Sequence, residues 1–289
     1  MKLIQNYDSA AELRSVLEAN GLNMSKRFGQ NFLISTGARS KIIDILDIDS
    51  SSKIWEIGPG LGAMTHMVLE VSNLLTVFEI DYGFIKYLSE AFGHNSGFKI
   101  VTGDFVKTWG EIAITDGKPD KILGNLPYNS ASAIISSLIE NSCIPESLVV
   151  TVQKEMGQRM ISPPGSKNYS SFSMLCQYVF NVQNMGDLKS GSFYPAPDVT
   201  SSILELKPHN LYKDVNSQLY FKIIRDLFQS RRKTIKNNLS RGWTGTNIPW
   251  NIVENALLET QISPNDRGEN IAVKDIVRLV QYLDSLINL

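Results

Sequence analysis

Two hydrophobic periods alternate along the chain. Residues 10–20 and 38–47 carry apolar side chains at helical spacing; in the second stretch Ile42, Ile43, Ile45 and Leu46 stand among charged neighbours. From residue 53 a unit repeats: a short β-branched and aromatic run, a polar or glycine-rich turn, then a helical stretch. The runs fall at 53–57, 74–78, 98–101, 121–123 and 147–152, the last after a helix expected near 131–141. Strands and helices alternating at this spacing predict an α/β fold with a doubly wound, parallel sheet covered on both faces. Runs at 177–182 and 202–206 predict further edge strands, parallel or antiparallel. Beyond residues 207–210 the periodic stretches are all helical, at 215–229, 231–241, 250–259 and 272–287. The expected organisation is a Rossmann-like domain at 1–207 and a small helical domain at 208–289.

Composition narrows the class. A 43% hydrophobic and 20% charged chain of 289 residues has room for one large domain and a small one, with the balance of a soluble globular protein. Cys143 and Cys176 are the only cysteines, which excludes a disulfide framework and a paired-thiol metal site. The first residues are too polar for a signal peptide and no stretch approaches a membrane span, so a cytoplasmic protein is expected. Net charge is −1, yet the segment from Lys222 to Arg241 holds seven basic residues and one acid, Asp226. That local excess is an electrostatic footprint for nucleic acid, carried by Arg231, Arg232, Lys233 and Lys236. Placed at the start of the helix expected at 231–241, three consecutive cations oppose the helix dipole, which a phosphate partner would relieve. The bland alternative is a solvated helix face.

Candidate chemistry collects at the strand ends, where open parallel sheets bind ligands. The residues there are Gly58, Glu79, Asp104 and Asn125. The turn Gly58-Pro59-Gly60-Leu61-Gly62-Ala63 has the G-x-G-x-x-A form, and Glu79 follows at the distance that suits a ribose. This much fits NAD and S-adenosylmethionine equally. Glu79 could instead be half of a solvated strand-end pair with Asp81, and Asp104 a helix N-cap. Next along the rim stands Gly124-Asn125-Leu126-Pro127-Tyr128. The Asn125 side-chain oxygen and the Pro127 carbonyl could each accept a hydrogen from the exocyclic amine of adenine, while Tyr128 stacks on the base. Polarised in this way, the amine lone pair could attack an electrophilic methyl group. The bland reading of these residues is an X-Pro turn. His66, His94 and His209 are scattered, which disfavours hydride chemistry. No zinc-deaminase motif, P-loop or G-x-S-x-G elbow occurs.

With these residues in view, the chain resembles the bacterial small-subunit ribosomal RNA adenine dimethyltransferases of the KsgA type, over nearly its whole length. The resemblance rests on Arg27-Phe28-Gly29-Gln30-Asn31-Phe32-Leu33, Glu56-Ile57-Gly58-Pro59-Gly60-Leu61-Gly62 and Gly124-Asn125-Leu126-Pro127-Tyr128-Asn129. It continues through Gln153-Lys154-Glu155, Phe193-Tyr194-Pro195-Ala196-Pro197-Asp198-Val199, Gln229-Ser230-Arg231-Arg232-Lys233-Thr234-Ile235 and Arg267-Gly268-Glu269-Asn270. It implies a class I methyltransferase fold and transfer of four methyl groups to two adjacent adenosines in a hairpin near the 3′ end of 16S ribosomal RNA. The expected substrate is an immature 30S subunit and the expected enzyme a metal-independent monomer. Asn31, Leu33, Gly58, Gly60, Glu79, Asp104 and Asn125 would hold S-adenosylmethionine; Phe193 would flank the target base opposite Tyr128. The pattern departs from the family at Asp198, usually basic, at Thr200, usually acidic, and at Gly268, usually alanine. Competing readings are an enzyme methylating one adenosine of 23S ribosomal RNA, an assembly factor whose catalysis is secondary, and a dinucleotide oxidoreductase.

Overall fold

The computed structural model describes residues 1–22 and 31–287. In chain order the elements are α1 (Ala10–Ala19), β1 (Phe32–Leu33), α2 (Thr36–Leu46), β2 (Ile54–Ile57), α3 (Thr65–Leu69), β3 (Leu75–Glu79), α4 (Tyr82–Phe92) and β4 (Phe98–Thr102). Next come α5 (Phe105–Thr115), β5 (Lys121–Asn125), α6 (Ala131–Glu140), β6 (Ser147–Gln153), α7 (Lys154–Ile161), α8 (Ser171–Val179), β7 (Phe180–Leu188), β8 (Phe193–Tyr194) and β9 (Ser201–Pro208). The remainder is helical: α9 (Ser217–Leu227), α10 (Ile235–Arg241), α11 (Trp243–Asn247), α12 (Trp250–Glu259) and α13 (Val273–Ile287).

The main sheet has seven strands in the order β4-β3-β2-β5-β6-β9-β7. The five strands from β2 to β6 pair in parallel and β9 runs antiparallel to β6. Strand order reverses at β2, which has β3 on one side and β5 on the other. All four β2 residues are buried. On one face Ile54, Val77, Leu123 and Val149 pack with Ala38, Ile42 and Leu46 of α2. On the other, Trp55, Phe78, Phe105 and Trp109 form a chain of ring contacts. Because both faces are covered, these strands read in sequence as near-continuous apolar runs. A separate two-stranded ribbon joins β1 to β8, with Phe32 opposite Tyr194 and Leu33 opposite Phe193.

Contacts divide the chain into two compact units. One comprises residues 1–137, 143–157 and 183–207; the other comprises 138–142, 158–182 and 208–289. In the second unit α9 and α13 bury full apolar faces, and Tyr178 stacks on Tyr220 at 4.1 Å between centroids.

Two expected elements differ. Residues 177–179 belong to α8 rather than to a strand; β7 starts at Phe180. The helix is started by a Ser170–Ser173 capping box and buries six of its nine residues, Phe172 through Cys176 and Tyr178. A helix buried on most sides lacks the periodic stripe that would announce it. The helix expected at 231–241 begins instead at Ile235, where Thr234 accepts the Asn237 N–H as N-cap. Arg231, Arg232 and Lys233 therefore precede α10 and do not occupy its first turn, where Lys236 stands.

Candidate active site

The glycine turn leaves β2 with Gly58 at φ 69° and Gly60 at φ 58°, in the left-handed region that a Cβ disfavours. A Cβ at Gly60 would lie 2.9 Å from the Phe32 ring, so β1 rests directly on the turn. Glu79 ends β3 only 5% exposed, so it is not a solvated residue. Its carboxylate accepts N–H bonds from Gly60 (3.2 Å), Ile80 (2.8 Å) and Asp81 (2.9 Å). Burial raises its proton affinity, opposed by those three bonds. Asp104 is the N-cap of α5, its Oδ1 accepting from the Val106 N–H at 3.0 Å. The bland reading of Asp104 is thus realised, and the residue still faces the same cavity as Glu79.

That cavity, of about 410 Å³, lies outside the carboxyl ends of β2, β3 and β5. It brings together Asn31, Leu33, Gly58, Gly60, Glu79, Asp104, Asn125 and Pro127. Phe32 and Phe84, in edge-to-face contact at 5.6 Å, supply part of its apolar wall. The Asn125 Nδ2 donates to the Asn31 carbonyl at 2.6 Å, which fixes the amide with Oδ1 as its acceptor end. The Pro127 carbonyl already accepts the Ser130 and Ala131 N–H groups, both at 3.1 Å, so taking an amine hydrogen requires that first turn of α6 to loosen.

Tyr128 and Phe193 stand outside the cavity lining. Tyr128 is half-buried with its hydroxyl 2.9 Å from Ser201 Oγ. The Phe193 ring is packed into the core beside Leu33 and Ile203. Residues 27–30 of the motif ending at Leu33 lie outside the described residues.

One residue that sequence reasoning did not assign to the site is Glu56. It lines the cavity fully buried, Thr65 donates to its Oε2 at 2.6 Å, and its Oε1 has no hydrogen-bond partner among the described residues. Desolvation pushes its pKa up to about 7, the Thr65 bond opposes this, and Glu79 adds repulsion. The signal in the sequence was a charged residue inside an otherwise apolar strand.

Within the helical unit the basic residues fall into two sets. Arg231 donates to Glu269 (2.7 Å) and to the Lys167 carbonyl (2.9 Å), Arg225 pairs with Glu140 at 2.6 Å and Lys236 with Glu254 at 3.6 Å. Arg232, Lys233 and Arg241 are exposed and make no ion pair among the described residues. Asp226, the acid of this segment, points inward and accepts from the Trp243 and Thr244 N–H groups at 3.1 and 2.7 Å. At Gly268, where the resemblance leads one to expect alanine, a Cβ would lie 2.9 Å from the Leu227 carbonyl oxygen.

A doubly wound sheet with a glycine turn after its switch-point strand, and a carboxylate ending the next strand, is the Rossmann-like form of the class I methyltransferases, which dinucleotide-binding domains share. Residues 21–285 match the family model for ribosomal RNA adenine dimethylases, and the chain belongs to that family. It is thus an rRNA adenine dimethyltransferase. A Treponema denticola protein named ribosomal RNA small subunit methyltransferase A is 41% identical over 97% of both chains. The Borreliella afzelii protein of that name is 43% identical over 96% of this chain and 95% of its own. Among solved structures, a dimethyladenosine transferase from Plasmodium falciparum shares the fold with a TM-score of 0.72 at 24% identity, covering 87% of this chain and 96% of that one.

The cavity suits S-adenosylmethionine. Glu79 offers carboxylate oxygens to the vicinal hydroxyls of a ribose, apolar rings flank the space for a base, and the Glu56 Oε1, which has no hydrogen-bond partner among the described residues, is open to a cation.

Proposed function

We propose that the chain dimethylates the N6 amines of two adjacent adenosines in a hairpin near the 3′ end of 16S ribosomal RNA. It acts as a cytoplasmic monomer on an immature small subunit, with residues 1–207 as its methyltransferase domain and 208–289 as its RNA-binding domain. One observation carries the reading: Glu56, Glu79, Asp104 and the tethered Asn125 amide converge on a single cavity at the switch point. The names of the curated relatives support the small subunit over 23S RNA.

In this reading S-adenosylmethionine, when bound, supplies a methyl group already activated by a sulfonium, so no metal is needed. Asn31, Leu33, Gly58, Gly60, Glu79 and Asp104 hold it. Asn125 Oδ1 accepts one hydrogen of the adenine amine, drawing its lone pair out of the ring and toward the methyl group. Tyr128, oriented through Ser201, stacks on the base, while Phe193, packed in the core, supports β1 through Leu33 instead of flanking the base; the protein needs no strong base because the amine sheds its proton after transfer. Arg232 and Lys233, free of internal partners, meet phosphates; Arg231 and Lys236 do so in exchange for Glu269 and Glu254. The test is labelled-methyl transfer to unmethylated small subunits with mapping of the modified nucleotides. Label on two adjacent adenosines of 16S RNA is expected; label confined to 23S RNA, or none, would reject the proposal.

A further inference from the structure

The family match begins at residue 21, yet residues ahead of it are tied to the elements that wall the cavity. The Tyr7 hydroxyl donates to the Leu61 carbonyl at 3.0 Å, inside the glycine turn. Its ring lies flat on His66, just past that turn, with centroids 4.6 Å apart and planes at 10°. Next to it, Asp8 accepts from Arg39 Nη2 at 2.6 Å and also from Thr36. The Arg39 guanidinium is buried, and its Nη1 donates to the Leu33 carbonyl at 2.9 Å. Ile4 sends its N–H to the Tyr87 hydroxyl of α4 at 2.9 Å. Three cavity walls are thus reached from residues 4–8: the glycine turn, β1 and the helix that follows Glu79.

Between these tethers the packing is apolar. Ile4, Leu13, Val16 and Leu17 form one cluster with Phe32, Leu61 and Phe84. Phe32 and Phe84 are the rings that face the cavity from the other side. The Arg14 Nε donates to the Tyr194 hydroxyl at 3.0 Å, so α1 also grips the strand paired with β1.

We infer that the segment preceding the family-matched region is a brace that sets the shape of the methyl-donor site, with Tyr7, Asp8 and Arg39 as positioning residues. This rests on the reading that the cavity holds S-adenosylmethionine. The glycine turn is bonded to the sheet through Gly58 and Gly60, and among the described residues β1 pairs with the two residues of β8, so the contacts from residues 4–8 tie these two walls together from outside the main sheet. Holding the two walls at fixed separation lowers the ordering cost of binding, which is how preorganisation raises affinity. Burial keeps the Tyr7 phenol protonated well above its ordinary range, so it remains a donor to Leu61 at any working pH.

Tyr7→Phe removes the Leu61 bond and keeps the ring and its stack. It is expected to weaken binding of S-adenosylmethionine and S-adenosylhomocysteine about three- to tenfold, as loss of one hydrogen bond implies. The KM for S-adenosylmethionine rises by the same factor, while turnover at saturating donor and affinity for the small subunit fall far less. Asp8→Ala should act in the same direction through Arg39 and Leu33, and Asp8→Asn, which keeps an acceptor oxygen, should recover part of the loss. Donor affinity equal to wild type in both Tyr7→Phe and Asp8→Ala would overturn the brace. So would donor and RNA affinity falling together with the melting temperature, since that is general loosening. A wild-type chain that binds no S-adenosylmethionine would instead strike down the cofactor reading, and the brace with it.

Discussion

Glu56 and Glu79 lie in one cavity and both resist ionisation, but they are furnished differently. Glu79 has three backbone donors, whereas Glu56 has one hydroxyl on one oxygen and nothing on the other. With its pKa raised from 4.5 to about 7, Glu56 favours the fold most in its neutral form. That contribution is complete below the unfolded value and is lost as pH rises through the folded one. A cation bound against Oε1 favours the ionised form, so donor binding should expel a proton near neutrality. From about pH 6 to about pH 8 the affinity for S-adenosylmethionine is expected to rise about tenfold, and Glu56→Gln should flatten the profile. Calorimetry in buffers of different ionisation enthalpy measures the proton count directly; no released proton and a flat profile in the wild type would contradict this. Asn125 is a separate matter, because its amide meets the reacting amine. Asn125→Ala should lower the single-turnover rate at saturating donor by about a hundredfold or more, the cost of removing one preorganised polar group. Near-normal turnover would remove it from the mechanism.

At the scale of elements, the basic segment is not one uniform patch. The approach to α10 carries Arg231, which is engaged in holding Glu269 and the 167 carbonyl, and then Arg232 and Lys233, whose side chains make no ion pair among the described residues. The inward-facing Asp226 stabilises the turn into α11, and at Gly242 a Cβ would lie 2.2 Å from its carboxyl carbon. Arg232→Gln and Lys233→Gln should each reduce the slope of log affinity against log salt by somewhat under one unit, roughly evenly across RNA sequences. Arg231→Gln should additionally lower the melting temperature, because it unties the loop before α8 from the turn at 269. Salt titration and thermal melts of the three variants distinguish the roles. A folded Arg232/Lys233 double variant with wild-type affinity and slope would identify a merely solvated surface.

For the whole molecule, the parallel sheet was legible because its strands are buried on both faces and therefore stand out as apolar runs; β2 to β6 fall within two residues of the runs at 53–57 through 147–152. The rim was legible too, since strand ends in a doubly wound sheet converge whatever lies between them, and Gly58, Glu79, Asp104 and Asn125 meet accordingly. Less visible was α8, whose burial on most sides erased its period, and the start of α10, where a charge run masked the Thr234 cap. Glu56 was hidden in another way: nothing local distinguishes a carboxylate whose second oxygen will lack a partner. Periodicity and turn chemistry are set by backbone geometry among near neighbours, so the sequence alone determined the class of fold, the succession of its parallel strands and the rim residues. Which distant groups touch depends on the faces that the closed fold presses together. The tie from Tyr7 to Leu61, the pairing of Arg231 with Glu269, the engaged Pro127 carbonyl and the burial of Phe193 were decided by tertiary structure only.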